Sequence, residues 1–419
     1  MYKVLIIGAN FINKGAQSML FITMDEIYKR IPDADIYFGT FEDGIDTGLY
    51  KFHTVYYNSQ AVHFALYPKE RISISIREYI KNLGKWIAGK KYRKYIAPVR
   101  RFSELSKMIA EFDLIIDISG FGLGSKWGVK GSEQYLDNIR LAKKYSIPMV
   151  LMPQSFGPFD YDGENYQRVV DDIKELLSYP YKIYAREKHG YDILTNVLSM
   201  KNVEKSYDLV LQNTGIDLAN IYLREYHPRD VNISTDGNVA VIPNVQCFRH
   251  GNKEYNLKLY ETIINELIKE KKEVYIVSHA TEDRELCLQI KRPFNNNDHV
   301  HLYDKDLTCL EYDEFTKEFD YIICSRFHGI VHAYRNCIPC IILGWAIKYA
   351  ELSEAVDQRK YCFDLTNVNE RLQSNIIEKI SYINHHYLEE RLTIKSRLSE
   401  IQNNNCFDII DNLISAKNN

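Results

Sequence analysis

Short apolar runs closed by a glycine or a polar loop recur along this chain, and a stretch of helical character usually follows each one. Residues 4–7 form the first run, ending in Gly8-Ala9-Asn10, and 17–30 read as the helix after it. Runs at 35–40, 53–57, 114–119, 148–152 and 182–185 follow, with helices over 132–145 and 165–177. The second half repeats the pattern with strands at 239–243, 274–278, 299–303, 321–324 and 339–343. Helices there span 257–271, 283–291, 311–318 and 330–335. Continuous rather than alternating apolar runs are the mark of strands covered on both faces, as in parallel sheets. Strands alternating with helices bury themselves as a doubly wound α/β sheet. The chain therefore reads as two doubly wound, Rossmann-like parallel-sheet domains facing a cleft. Its 419 residues suit two domains. The first covers 1–215 and the second 239–368. A polar linker near 213–238 joins them, and a helical tail covers 369–419.

Open parallel sheets bind ligands at the carboxyl edges of their strands, so the loops there hold the candidate residues. The run 321–324 is closed by Ser325-Arg326-Phe327-His328-Gly329. Arg326 carries a forked cation that matches carboxylate or phosphate. His328 titrates near neutral pH, which suits proton transfer, and the helix N-terminus there favours an anion. A structural reading stands beside this one, with Arg326 capping a carboxylate and His328 bonding a loop carbonyl. Gly120-Phe121-Gly122-Leu123-Gly124 is either a phosphate or sugar approach or a flexible turn. Arg186 ends the run 182–185, either as a second anion-binding cation or as the partner of a nearby acid. Asn244 and His279 close two second-half strands.

These loops resemble the polysaccharide pyruvyl transferase family. The resemblance rests on Ser325-Arg326-Phe327-His328-Gly329, on Leu343-Gly344-Trp345 with Lys348, and on Pro153-Gln154-Ser155-Phe156-Gly157-Pro158. Arg186-Glu187, Asp208 and the loop bearing Asn10, Asn13 and Gly15 add to it; Ala16 stands where the family often has an acid. The resemblance implies a glycosyltransferase-B arrangement. It also implies transfer of pyruvate from phosphoenolpyruvate to a sugar of a bacterial surface polysaccharide or its lipid-linked precursor, as a cyclic ketal. His328 and Arg326 are then the catalytic pair. Arg326, Arg186, Ser325, Gly329 and Lys348 hold the donor. Asn10, Asn13, Gly15, Gly120, Gln154, Ser155, Asn244 and His279 line the acceptor side. Two rivals remain: a sugar transferase of the same fold with a nucleotide-sugar donor, and a sugar- or anion-binding subunit without turnover.

A net charge of −3 gives no global basic field for nucleic acid. The eight cysteines are scattered, and Cys337-x-x-Cys340 has no second pair, which argues against a metal or redox use. Asp304-Lys305-Asp306 follows a strand but reads as a turn. Neither metal nor organic cofactor is expected, with phosphoenolpyruvate as co-substrate. The opening residues enter a strand directly, and no run reaches the ~18 apolar residues of a membrane span, so the expected location is cytoplasmic. One segment differs. Residues 69–101 hold eleven Lys or Arg against two Glu, while the chain as a whole is acidic. Ile76, Ile80, Leu83 and Ile87 make one helical stripe there. A basic amphipathic helix of this kind either docks on an anionic membrane surface or packs on the first domain.

Overall fold

Among the described residues thirteen strands form; those inside the sheets are buried along almost their whole length, as unbroken apolar runs require, and the four edge strands are more exposed. The structure is a computed structural model that describes residues 2–67, 104–233 and 236–418. The first sheet contains β1 (Lys3–Ile7), β2 (Asp35–Thr40), β3 (His53–Tyr56), β4 (Leu114–Asp117), β5 (Met149–Gln154), β6 (Lys182–Ala185) and β7 (Val203–Lys205). Its order is β3-β2-β1-β4-β5-β6-β7, parallel throughout. The second contains β8 (Asn238–Ile242), β9 (Glu273–Val277), β10 (Val300–Tyr303), β11 (Tyr321–Cys324), β12 (Cys340–Gly344) and β13 (Cys362–Asp364). Its order is β10-β9-β8-β11-β12-β13, again all parallel. Strand order reverses between β1 and β4 in one sheet and between β8 and β11 in the other. A crevice opens at each reversal. The loops after β1 and β4 and after β8 and β11 sit there, which puts Asn10, Gly120, Asn244 and Arg326 at the two crevices.

The helix Lys14–Arg30 explains how the two sheets meet. It is buried along almost its whole length, polar Gln17, Ser18, Thr23 and Asp25 included. A surface helix shows one apolar stripe; this one lies between the halves and needs partners on several sides. Gln17 Oε1 accepts the backbone N–H of Cys309 at 2.8 Å. Ser18 Oγ lies 3.1 Å from His332 Nε2, and His332 Nδ1 lies 2.9 Å from Asp313 Oδ1. Buried polar groups in such a chain fix one relative position, because each loses a partner if the halves separate.

The tail closes the structure. The 31-residue helix Leu372–Gln402 buries Leu372, Ile376, Ile380 and Ile383 against the second half. Ile394, Leu398 and Ile401 then join the cluster shared with the first half. The last helix, Asp408–Asn418, returns to Lys14–Arg30, where Arg30 meets Asp408 at 2.9 Å and Asp411 at 3.2 Å. The polar stretch between the halves is also packed. Tyr222 stacks on Tyr226 with ring centroids 4.0 Å apart, and Arg229 Nε reaches Glu311 at 2.6 Å. Residues 69–101, with the stripe of Ile76, Ile80, Leu83 and Ile87, lie outside the described residues.

Candidate active site

The helix start at Lys14 and the loop after β11 press together with almost no space between them. A Cβ built on Gly15 would stand 1.9 Å from His328 Cγ. Glycine is required here for close approach. Asn13 holds the helix start in place, its Oδ1 accepting the N–H groups of Gly15 at 3.0 Å and Ala16 at 3.4 Å. Asn10 Oδ1 accepts the N–H of Asn13 at 2.8 Å. The oxygens of Asn10 and Asn13 are thus engaged by backbone, a capping role in place of the ligand contacts expected from the sequence. Gly15→Ala must push His328 aside, and a cost of roughly 1–3 kcal/mol is expected from overpacking. Gly215 has open space around it, so Gly215→Ala should stay within about 0.5 kcal/mol. Thermal unfolding of the two variants side by side checks this contrast.

Arg186 ends β6 in a buried network. Its Nε donates to Glu187 Oε1 at 2.9 Å, its Nη2 to Ser155 Oγ at 2.9 Å and its Nη1 to Asp208 Oδ2 at 2.9 Å. Phe327 of the second half lies against its guanidinium, 4.3 Å from carbon to ring centroid. Glu187 also accepts from Ser155 at 2.8 Å. Gln154 is fully buried; its Oε1 accepts from Tyr135 at 3.1 Å, while its Nε2 has no partner. Gly120, at φ +68°, brings its backbone near Arg186. A cavity of about 340 Å3 opens in front, between the halves. Arg186, Lys188 and Lys205 come from one side and Phe327, Lys348, Glu351 and Arg397 from the other.

Arg326 departs from expectation. Its Nε donates to Asp283 Oδ2 at 2.7 Å, and its Nη2 to Asp283 Oδ1 and Glu282 Oε1, each at 2.6 Å. Asp283 is fully buried, and a buried carboxylate demands such a fork. The expectation that this fork faces the donor is corrected: two carboxylates hold it, and Arg326 does not line the cavity. Ser325, Asn244 and Gly329 serve as scaffold. Ser325 Oγ lies 2.8 Å from the Tyr260 hydroxyl. Asn244 Oδ1 caps the next turn through Gln246 N, and its Nδ2 donates to Ser325 O at 3.0 Å. A Cβ on Gly329 would meet Cys324 Sγ at 2.8 Å.

Lys348 does line the cavity. Its Nζ has no carboxylate within ion-pair distance among the described residues. The rings of Phe327, Phe121, Trp345 and Tyr349 surround it at 5.0–5.8 Å. Burial pushes its pKa down to about 7, aided by the positive charge of Arg186. His328 is close enough for the two to repel, and its pKa falls well below the usual histidine value, mainly through burial and then through Arg186. Its Nε2 is buried without a hydrogen-bond partner. His279 lies on the other side, also buried, with Nε2 unpartnered. The site therefore joins a neutral imidazole, a half-charged amine and a fixed guanidinium.

Sequence reasoning missed Asp283, which lies 43 positions from the Arg326 it holds and carries no motif. It also missed Asp117, buried at the end of β4 with Oδ2 unpartnered; an acid closing an apolar run at a strand's carboxyl edge was the available signal. Among the described residues, no three His, Cys, Asp or Glu gather as metal ligands, and no helix is long and apolar enough to cross a membrane.

Solved structures of similar shape share the two-sheet arrangement. A Staphylococcus aureus TarM mutant in complex with fondaparinux, alpha-GlcNAc-glycerol and UDP is 9% identical over 99% of both chains, with a TM-score of 0.54. UDP-GlcNAc 2-epimerase from Neisseria meningitidis, bound to UDP-GlcNAc, is 11% identical over 99% of this chain and 100% of its own, with a TM-score of 0.53. Anabaena HepE in complex with UDP is 12% identical over 99% and 100%, with a TM-score of 0.51. At these identities the likeness shows the fold alone, the glycosyltransferase-B arrangement of two parallel-sheet domains. Comparison with curated proteins finds no match. The family model for polysaccharide pyruvyl transferases matches residues 13–346, a span that holds Arg186, Arg326 and His328; the chain belongs to the polysaccharide pyruvyl transferase family.

Proposed function

We propose that this enzyme takes phosphoenolpyruvate as its donor. It places the pyruvyl group, as a cyclic ketal, on a sugar of a surface polysaccharide or of its lipid-linked precursor. One observation carries the reading: the half-buried amine of Lys348, which has no carboxylate within ion-pair distance among the described residues, shares a cavity with Arg186, and the buried Nε2 of His328 has no hydrogen-bond partner. Phosphoenolpyruvate brings a carboxylate and a phosphate, and an unpaired buried cation gains most from such a partner. The first-turn N–H groups of the helix Phe327–Arg335, which no side chain caps, face the same loop.

The chemistry balances without a redox partner. The enol carbon C3 takes a proton and becomes a methyl group. A sugar hydroxyl attacks C2, a second hydroxyl displaces phosphate, and the ketal closes. Two hydroxyl protons are released; one ends on C3 and the other on phosphate. Neutral His328 is suited to take the proton of the attacking hydroxyl, and Lys348 in its charged form to give one. Arg186, fixed by Ser155, Glu187 and Asp208, meets the donor's negative charge. No metal or organic cofactor enters these steps, and a cytoplasmic location goes with the donor.

Calorimetric titration with phosphoenolpyruvate tests the reading. Wild-type protein should bind it. Arg186→Lys keeps the charge but loses the fork, so a weaker dissociation constant is expected, with folding intact. Absence of donor binding to the wild-type protein would remove the proposal.

A further inference from the structure

A second cleft opens on the other side of Lys348. The loops after β4, β5 and β6 of the first sheet face the loop after β12 across it. It encloses about 70 Å3, space for roughly five waters, which suits one edge of a sugar ring and excludes a nucleotide. Its walls are mostly apolar, from Phe121, Pro158, Trp345 and Ile347. The cavity in front differs in kind, being lined chiefly by cations and acids. Glu187 and Lys348 line both.

Trp345 forms a platform in the cleft. His250 stacks on it, with ring centroids 4.7 Å apart and planes 11° from parallel, which fixes the indole. His250 does not line the cleft, so the face turned away from it does. Lys126 Nζ lies 5.1 Å from the indole centroid. Lys126 is exposed and has no carboxylate partner among the described residues. A surface cation held by a ring alone is held weakly, so a ligand can move it. Trp127, 53% exposed, packs on Phe121 with centroids 5.6 Å apart and carries the aromatic wall past the rim. One acceptor atom is open. Glu187 Oε1 takes Arg186 at 2.9 Å and Ser155 at 2.8 Å, while Oε2 takes no hydrogen bond among the described residues.

A fixed aromatic face with a few polar groups at its edge matches a neutral sugar ring. The C–H bonds of one ring face lie on the indole, and the hydroxyls at the rim bond the polar groups. We propose that this cleft is the acceptor subsite and takes a neutral pyranose with its apolar face on Trp345. Glu187 Oε2 accepts from a ring hydroxyl, and Lys126, moved off the indole, donates to another. The assignment to the acceptor rests on the pyruvyl-transfer reading above. Because Lys348 borders both spaces, a hydroxyl on the inner edge of the ring faces the donor beside that amine. Asn10 and Asn13, engaged as caps, leave the acceptor without the contacts expected of them, and this cleft supplies others.

Saturation-transfer NMR on the full chain, with the methyl glycosides of galactose, mannose and N-acetylglucosamine, reads sugar binding. Calorimetry reads phosphoenolpyruvate separately. At least one glycoside should bind, with saturation strongest on the C–H protons of one ring face. Ala346→Phe fills the cleft, and Trp345→Leu removes the platform; each should weaken that glycoside by roughly tenfold or more. Trp345→Phe should restore part of the loss, which a merely structural role for the indole would not require. Glu187→Gln should weaken the glycoside as well. Phosphoenolpyruvate binding should survive in Ala346→Phe, which also shows that this variant folds. No glycoside binding at millimolar concentration, or binding unmoved by the Ala346 and Trp345 variants, overturns the subsite. Displacement of the glycoside by phosphoenolpyruvate also overturns it, because the sugar then sits in the front cavity. A glycoside unmoved by Glu187→Gln removes the carboxylate from the subsite. Failure of phosphoenolpyruvate alone strikes the donor reading and leaves the sugar site standing.

Discussion

Lys348→Met is expected to abolish pyruvyl transfer and to make the protein more stable. The half-buried amine lies among four aromatic rings, which desolvate it and push its pKa down to about 7, against 10.5 for a free lysine. Between those values the unfolded chain binds more protons than the folded one. Stability therefore rises with pH from about 7 toward 10.5, and below about 7 the full cost of the buried charge remains. At ~1.4 kcal/mol per pKa unit, methionine should stabilise the fold at neutral pH by about 2–4 kcal/mol. Chemical denaturation at pH 7 and pH 9 checks this, with the gain larger at pH 7. A destabilised Lys348→Met protein would mean that the amine is satisfied by groups other than the donor. Stability given up at a site is a recurrent mark of function.

His328→Ala should lower turnover by roughly 10²–10⁴ while donor binding persists. His328 is held neutral by burial and by Arg186, so its base form is present throughout the neutral range. The titration near neutrality then belongs to Lys348. kcat/KM for the donor should fall as pH rises through about 7, because the amine loses the charge that meets the anion. Lys348→Arg fixes the charge and should flatten that limb. His328→Ala, though slow, should keep it. Near wild-type turnover in His328→Ala would take the imidazole out of the mechanism.

The architecture was legible because parallel strands announce themselves as unbroken apolar runs, and β2, β6, β11 and the helix Asn165–Leu177 stand where those runs place them. Strands β7 and β13 were not legible, since three-residue edge strands carry too little pattern. The helix Lys14–Arg30 gave no warning of its central position, because a helix packed on several sides lacks a stripe. At the site, the cavity is lined by Arg186 and Lys348, two residues that the sequence had grouped. Side-chain partners were beyond reach. Nothing near Arg326 in the sequence reveals Asp283, and nothing near Asn10 or Asn13 separates a cap from a ligand contact. Those distinctions depend on long-range packing.

The central claim is transfer of a pyruvyl group from phosphoenolpyruvate. Its most direct measurement incubates the wild-type protein with phosphoenolpyruvate and a panel of lipid-linked and nucleotide-linked galactose, mannose and N-acetylhexosamine acceptors. Inorganic phosphate and pyruvylated sugar are then scored together. Equimolar phosphate and acid-labile pyruvyl ketal on at least one acceptor is the predicted result. Nucleotide release from a nucleotide sugar, with phosphoenolpyruvate left intact, would contradict it.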